Sequence, residues 1–348
     1  MLHDSFAFLR GLKKKGTLAL GLLLAANTGV LAHDPKSDRS FIHLNKVIDK
    51  LERGLLATGL YVTSVDPSNA LGLVNSNGWQ TGEEVYTKPA IDLLLIEMEH
   101  EPFNVERLRT FLLALNSRRE VHLKANLQPN LVPFLMLPTL GDQPLETVIQ
   151  QVLDMGVFGL YCTVKNAEEA RKYVKASRYP QAQGSPIAEP RGRRANYPLW
   201  ASHVWGLTMK EYTERADVWP LNPRGDLMLI VHIETKEGIE NIDSILSVPG
   251  IAAVHFGPRD YSFSIGRPLD VNDPEVVSAW QKVKDAGQRH KIQVIAWADE
   301  TDIQQYLDEG RHKILMIGTD TDNDYGDSPK WGNRGAGKVI DLLRKRVP

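Results

Sequence analysis

Glu234 and Asp260 each stand where an apolar, strand-like run gives out: Val231-His232-Ile233-Glu234 ahead of Thr235-Lys236-Glu237, and Phe256-Gly257-Pro258-Arg259-Asp260. They lie 26 residues apart, about the length of one strand–helix–strand unit. Adjacent parallel strands would set the two carboxylates side by side at the carboxyl end of a sheet. Two hard oxygen ligands with open positions suit Mg²⁺ or Mn²⁺ completed by water and substrate. Each acid alone also suits a plainer role. Glu234 adjoins a helix start, where the helix dipole favours a carboxylate, and Asp260 fits an Asx turn or cap. Matching positions on successive strands favour the metal reading. His232, two residues before Glu234, faces the same side of its strand and is either an extra ligand or a core histidine.

A third stretch, Leu95-Ile96-Glu97-Met98-Glu99-His100-Glu101-Pro102, reads as a buried strand ending in acids and a histidine. A neighbouring carboxylate orients an imidazole and raises its pKa, so His100 with Glu97 is a candidate for proton transfer. A surface histidine would suit the same acidic neighbours.

These residues need a scaffold that brings strand ends together. Strand-like segments fall at 56–63, 91–96, 132–137, 156–161, 227–233, 252–256, 292–297 and 313–317. Helical patterns fall between them at 105–115, 145–155, 167–176, 236–246, 274–286 and 302–309, with another at 338–345. Eight strands with crossover helices predict an α/β fold, a (β/α)8 TIM barrel, whose active site lies at the strand carboxyl ends. An open doubly wound sheet is the competitor; no Gly-x-Gly-x-x-Gly follows an early strand, which disfavours a dinucleotide fold. The connection between Tyr179 and Leu227 is long and carries Trp200, Trp205, Tyr212 and Trp219. Long connections tend to be functional; the plainer reading is a helix over 209–216 that the tryptophans pack down.

From about Asn45 to the C-terminus, and most clearly at the three segments quoted above, the chain resembles the HpcH/HpaI aldolase/citrate lyase family, with a fold of the phosphoenolpyruvate/pyruvate-domain type. The resemblance implies a metal-dependent carbon–carbon lyase acting on a small-molecule 2-oxo acid or related hydroxy-carbonyl compound. It assigns Glu234 and Asp260 as protein ligands to a divalent cation, Mg²⁺ or Mn²⁺ first and Co²⁺ also in range. It assigns His100 to removal of the substrate's hydroxyl proton, directly or through water, with an acid nearby. It further implies a homo-oligomer, a hexamer. The competing functions are a CoA-ester lyase of the malyl or citryl type and a ligand-binding barrel without turnover.

Three departures bear on these expectations. Glu97 stands where the family usually has aspartate, which keeps the charge and moves it by one methylene. Met136 stands where the family's third strand normally ends in an arginine that stabilises a developing oxyanion. Cys162 and Thr163 replace a Pro-Met pair, and a lone cysteine there suits packing better than nucleophilic work. Arg191, opening the run Arg191-Gly192-Arg193-Arg194, is the candidate to replace the missing arginine; a solvated basic turn is the alternative. Asp320 and Asp322 follow the eighth strand but resemble turn residues. A flexible, polarizable Met136 wall and a lid of Trp200, Trp205 and Trp219 would suit a substrate with an aromatic portion. The plainer account is that those tryptophans pack a helix onto the barrel.

Composition narrows the rest. At 348 residues with 42% hydrophobic content, the chain can bury the core of one barrel. A formal charge of −2 gives no electrostatic case for nucleic acid or an anionic membrane. The single Cys162 excludes an intrachain disulfide framework and a cysteine zinc site. Lys13-Lys14-Lys15, an apolar run from Thr17 to Ala26, and Val30-Leu31-Ala32 follow the order of a secretory signal. That order predicts residues 1–32 as a signal peptide, residues 33–348 as one barrel without membrane association, and a periplasmic or secreted protein. An amphipathic N-terminal helix is the alternative, with a cytoplasmic protein.

Overall fold

The computed structural model describes residues 41–79, 91–138, 145–299, 301–320 and 339. The proposed signal peptide, Asp322 and all of the helix expected over 338–345 except position 339 lie outside them. The chain divides into Met1–Ile42 and His43–Pro348; everything below concerns the second unit.

Eight parallel strands close into a ring. They are β1 (Ala57–Val62), β2 (Leu93–Glu97), β3 (Val132–Met136), β4 (Gly159–Thr163), β6 (Leu227–Ile233), β7 (Ile251–Phe256), β8 (Gln293–Trp297) and β9 (Ile314–Thr319). Each pairs with the next, β4 pairs with β6, and β9 returns to β1. The two-residue β5 (Val218–Trp219) adds to the start of β6. The barrel prediction therefore stands over the open sheet. Nearly every strand residue is buried, as parallel strands sandwiched between a filled interior and an outer helical layer must be.

Alternation decides which side chains face the axis. On β4, Cys162 is outward, near Tyr173 of helix Ala167–Ser177, so Tyr161 and Thr163 point inward. Register carries the inward row around the ring: Glu97 lies beside Met136, Thr163 beside His232, and His232 beside His255. Gly159 makes room lower down, since a Cβ there would sit 2.6 Å from the Phe134 ring.

Three local expectations needed correction. β4 starts at Gly159 rather than 156, because Gly156 turns the chain with φ near +103°. The helix over 236–246 is two, Lys236–Glu240 and Ile242–Leu246, broken at Asn241, whose side-chain amide donates to the Lys165 carbonyl at 3.0 Å. The Tyr179–Leu227 connection forms helices Leu199–Trp205 and Met209–Arg215 and packs at the amino end of the barrel. Trp205 stacks on Phe158 at 4.0 Å and donates to the Gly156 carbonyl, both just before β4. Trp219 donates to Glu52, and Trp200 lies under the Arg109 guanidinium. No tryptophan of this connection covers the carboxyl end, so the lid is withdrawn and the packing account holds.

Candidate active site

The carboxyl end of the ring gathers Glu97, His100, His232, Glu234 and Asp260. β6 ends at Ile233, so Glu234 leaves the strand at its rim, with its side chain 14% exposed. Asp260 sits on the first turn of helix Pro258–Ser264, directly after β7. Neither carboxylate caps a helix: Thr235 caps Lys236–Glu240 through its hydroxyl, and helix Pro258–Ser264 has no side-chain cap. The capping role open to Glu234 in the sequence is thus taken by Thr235, and Asp260 does not cap its helix.

Glu234 is pushed up to about 7, first by burial and further by the Asp260 charge. Thr163, His100 and Lys165 pull the other way without offsetting it. A half-desolvated acid beside a second acid is short of positive charge. Among the described residues no three His, Cys, Asp or Glu side chains are grouped to enclose a cation. Two carboxylates with the remaining positions open are what Mg²⁺ commonly uses, the rest being water and substrate. The residues present therefore fit a hard divalent cation.

Glu97 ends β2 almost wholly buried. Its Oε1 accepts from the backbone N–H groups of Glu99 and His100, the latter at 2.8 Å, and so pins the turn. Its Oε2 is buried with no hydrogen-bond partner. His100 extends from that turn 70% exposed, with Nδ1 3.6 Å from Glu97 Oε1. The strand stops before Glu99, so strand alternation does not govern that acid or His100.

Below the rim lies an array that the sequence reading did not identify beyond His232. His232 is buried and stacks on His255 with ring centres 4.9 Å apart, and its Nδ1 lies 3.3 Å from Glu234 Oε2. Trp297 donates its indole N–H to His255 Nε2 at 3.0 Å, which leaves His255 Nδ1 as the proton-bearing nitrogen. Burial holds both histidines below the ordinary imidazole range; His232 lowers His255 further, while Glu99, Asp260 and Glu97 oppose the shift in His232. Gly257 must lack a side chain, since a Cβ would come within 2.7 Å of His232 Nε2 and 3.1 Å of Glu234 Cβ. The Tyr161 hydroxyl is also buried without a hydrogen-bond partner. The period-two pattern marks these positions as inward, but could not separate a functional histidine from a core one.

Arg191 is not brought to this site. It is exposed, and its backbone N–H donates to Glu189. The run it opens lies on the outer helices: Arg193 meets Glu146, and buried Arg194 pairs with Asp154 at 2.6 Å and with Tyr212. After His100, a further positive charge acting on Glu234 comes from Lys165, two residues past β4 and unremarkable in the sequence. Asp320 serves the loop after β1, accepting from Thr63, Ser64 and Asn69. Cys162 is buried, and desolvation raises its thiol far from nucleophilic use.

Fold and site together define a TIM barrel with an acidic mouth. The HpcH/HpaI aldolase/citrate lyase profile matches residues 81–323, and the chain belongs to that family. It is 31% identical over 246 residues to 4-hydroxy-2-oxo-heptane-1,7-dioate aldolase of Shigella flexneri, covering 68% of this chain and 78% of that one. It is 30% identical to 2-keto-3-deoxy-L-rhamnonate aldolase of Escherichia coli K12, covering 67% and 71%. Among solved structures, an HpcH/HpaI family protein from Burkholderia cenocepacia superposes with a TM-score of 0.60 at 21% identity, covering 86% and 96%. Macrophomate synthase superposes with a TM-score of 0.56 at 23% identity, covering 87% of each chain; both show the shared fold. The protein is an enzyme of the aldolase/lyase class, and the aldolases of this family are divalent-metal dependent.

Proposed function

We propose that the protein cleaves a 4-hydroxy-2-oxo acid by a retro-aldol reaction, releasing pyruvate or a related 2-oxo acid and an aldehyde, with Mg²⁺ or Mn²⁺ held by Glu234 and Asp260. The observation that carries this reading is the buried Glu234 carboxylate, pushed up to about 7 beside Asp260 at the rim of the ring. When bound, the cation polarises the substrate's keto oxygen and spreads the enolate's negative charge.

The chain's own residues supply the rest. His100 takes the proton of the C4 hydroxyl as the C3–C4 bond breaks, and the bond's electron pair moves into the enolate. Glu97 holds the turn that carries His100 and lies 3.6 Å from its imidazole, which orients the ring. The enolate takes a proton at C3 to give the oxo acid. Lys165 contributes positive charge from β4 where the family arginine is absent and Met136 stands. His232 and His255, kept neutral by burial, orient Glu234 instead of competing with the cation as charges.

The test is pyruvate release from 4-hydroxy-2-oxo acids by chelator-stripped protein, followed through lactate dehydrogenase. Turnover should require added Mg²⁺ or Mn²⁺ and should vanish in Glu234→Gln. Equal turnover with and without metal would overturn the proposal.

A further inference from the structure

The ends of β7 and β8 border a cavity of about 300 Å³. Its inner wall is His255 and Trp297, both facing the barrel axis: His255 stacks on His232, and the Trp297 ring meets Tyr61 edge-on at 5.8 Å. Its outer wall belongs to the helical layer, where Phe256 stacks on Trp280 at 6.0 Å and Tyr306 stands nearby. Pro258, two residues before Asp260, lines it as well. The cavity therefore lies at the ends of β7 and β8 beside the active site, and His255 is common to it and to the histidine array below the rim.

The chemistry of the lining is specific. Aromatic rings and the valines of helix Pro274–His290 line it together with Asn272, while Asp299 and Asp302 are its acids. No lysine or arginine occurs among its described lining residues. Such a pocket welcomes a flat apolar group and repels a carboxylate. An apolar cavity of about 150 Å³ holds benzene, so this one has room for a ring and a short link.

We propose that this cavity is a substrate subsite that takes an uncharged aryl substituent on the aldehyde half of the molecule. The assignment rests on the retro-aldol reading and adds a substrate class to it.

The experiment compares two pyruvate adducts, one of acetaldehyde and one of benzaldehyde, in wild type and in Val277→Phe. Val277 lines the cavity from a 55% exposed position on its helix, so the larger side chain can fill the space without entering the core. Val277→Phe should lower kcat/KM for the benzaldehyde adduct at least tenfold and change the acetaldehyde adduct less than twofold. A para-carboxyl group on the ring should cost wild type a further tenfold. Equal loss on both adducts, or no loss on the aryl one, would overturn the subsite. A second measurement needs no turnover: benzyl alcohol should perturb tryptophan fluorescence in wild type and not in Val277→Phe. If neither adduct is cleaved but this difference persists, the retro-aldol reading fails and the aryl pocket stands; if the difference is absent, the pocket itself is refuted.

Discussion

The two ends of this barrel bury carboxylates in opposite ways. At the amino end, Asp92 is 1% exposed and meets Lys46 at 2.8 Å and Lys50 at 2.6 Å, while also accepting from Thr58. Asp226, wholly buried, meets Arg215 at 2.5 Å and His43 at 3.1 Å. Glu120 pairs with Lys124 at 2.9 Å. Helix Lys46–Glu52 supplies the two lysines on Asp92, so the ion pairs also fasten a plug across this end. At the carboxyl end, Glu97 Oε2 has no hydrogen-bond partner, and Glu234 faces a second acid, with His100 and Lys165 as opposing charges. A buried acid that already has its cation holds structure together; one that lacks it is held ready for a ligand. On the proposed function, a bound cation and substrate would complete the second arrangement.

Glu234→Gln and Asp260→Asn should break that contrast most sharply. Turnover should fall below detection and divalent-cation affinity should collapse, while the thermal midpoint of metal-free protein holds or rises. Calorimetric titration with Mn²⁺ and a melting curve report both. Unchanged affinity in both variants would remove the site as described.

His100→Ala should keep the metal and lose about 10²–10⁴ in kcat, the usual share of a proton-transfer group. Steady-state kinetics decide it; an unchanged kcat with a raised KM would make His100 a substrate contact and put the base elsewhere.

Asp92→Asn is the mirror experiment at the other end. It leaves Lys46 buried, where desolvation already lowers its pKa against the pull of Asp92. Loss of a buried pair's partner costs about 3–5 kcal/mol, so denaturant unfolding should show a drop of that order with metal affinity intact. A loss under about 1 kcal/mol would deny the staple role.

Metal affinity should also depend on pH at one end only. Glu234 holds its proton up to about 7, against 4.5 for a free glutamate, and the cation binds the ionised form. Affinity should therefore rise with pH and level off above about 7, with proton release on binding. In metal-free protein the same shift works against folding: the native state binds more protons than the unfolded one between those values, so stability falls as pH rises through the window. A pH-independent affinity would mean that Glu234 is not a ligand. The smallest effect is expected for His255→Leu, which removes the acceptor of the Trp297 indole and loosens the stack on His232. Outer partners of metal ligands are worth about 10–100-fold in affinity, and Mn²⁺ titration should show a loss in that range.

Much of this was legible in the sequence, and the failures have definite causes. The seven residues of β6 follow from an apolar run interrupted at His232, and Leu145–Met155 from its helical period. Glu234 and Asp260 could be singled out because acids ending apolar runs are conspicuous. His255 was not, since an inward histidine among Ala253, Val254 and Phe256 looks like core until Trp297, 42 residues later, is seen to bond it. Lys165 lacked any local signal, because its relevance comes from β4 lying beside β6. Arg191 failed for the opposite reason: a basic run invites a role, but Arg194 turns inward to Asp154 and holds the run on the outer helices.

The central claim, that Glu234 and Asp260 at the carboxyl end form a two-carboxylate cation site, is tested most directly by diffraction from crystals soaked with Mn²⁺ and oxalate. The account predicts one anomalous peak bound by Glu234 and Asp260 at about 2.0–2.2 Å, with oxalate filling open positions. A peak on other ligands, or none at this rim while Mn²⁺ binds in solution, would contradict it.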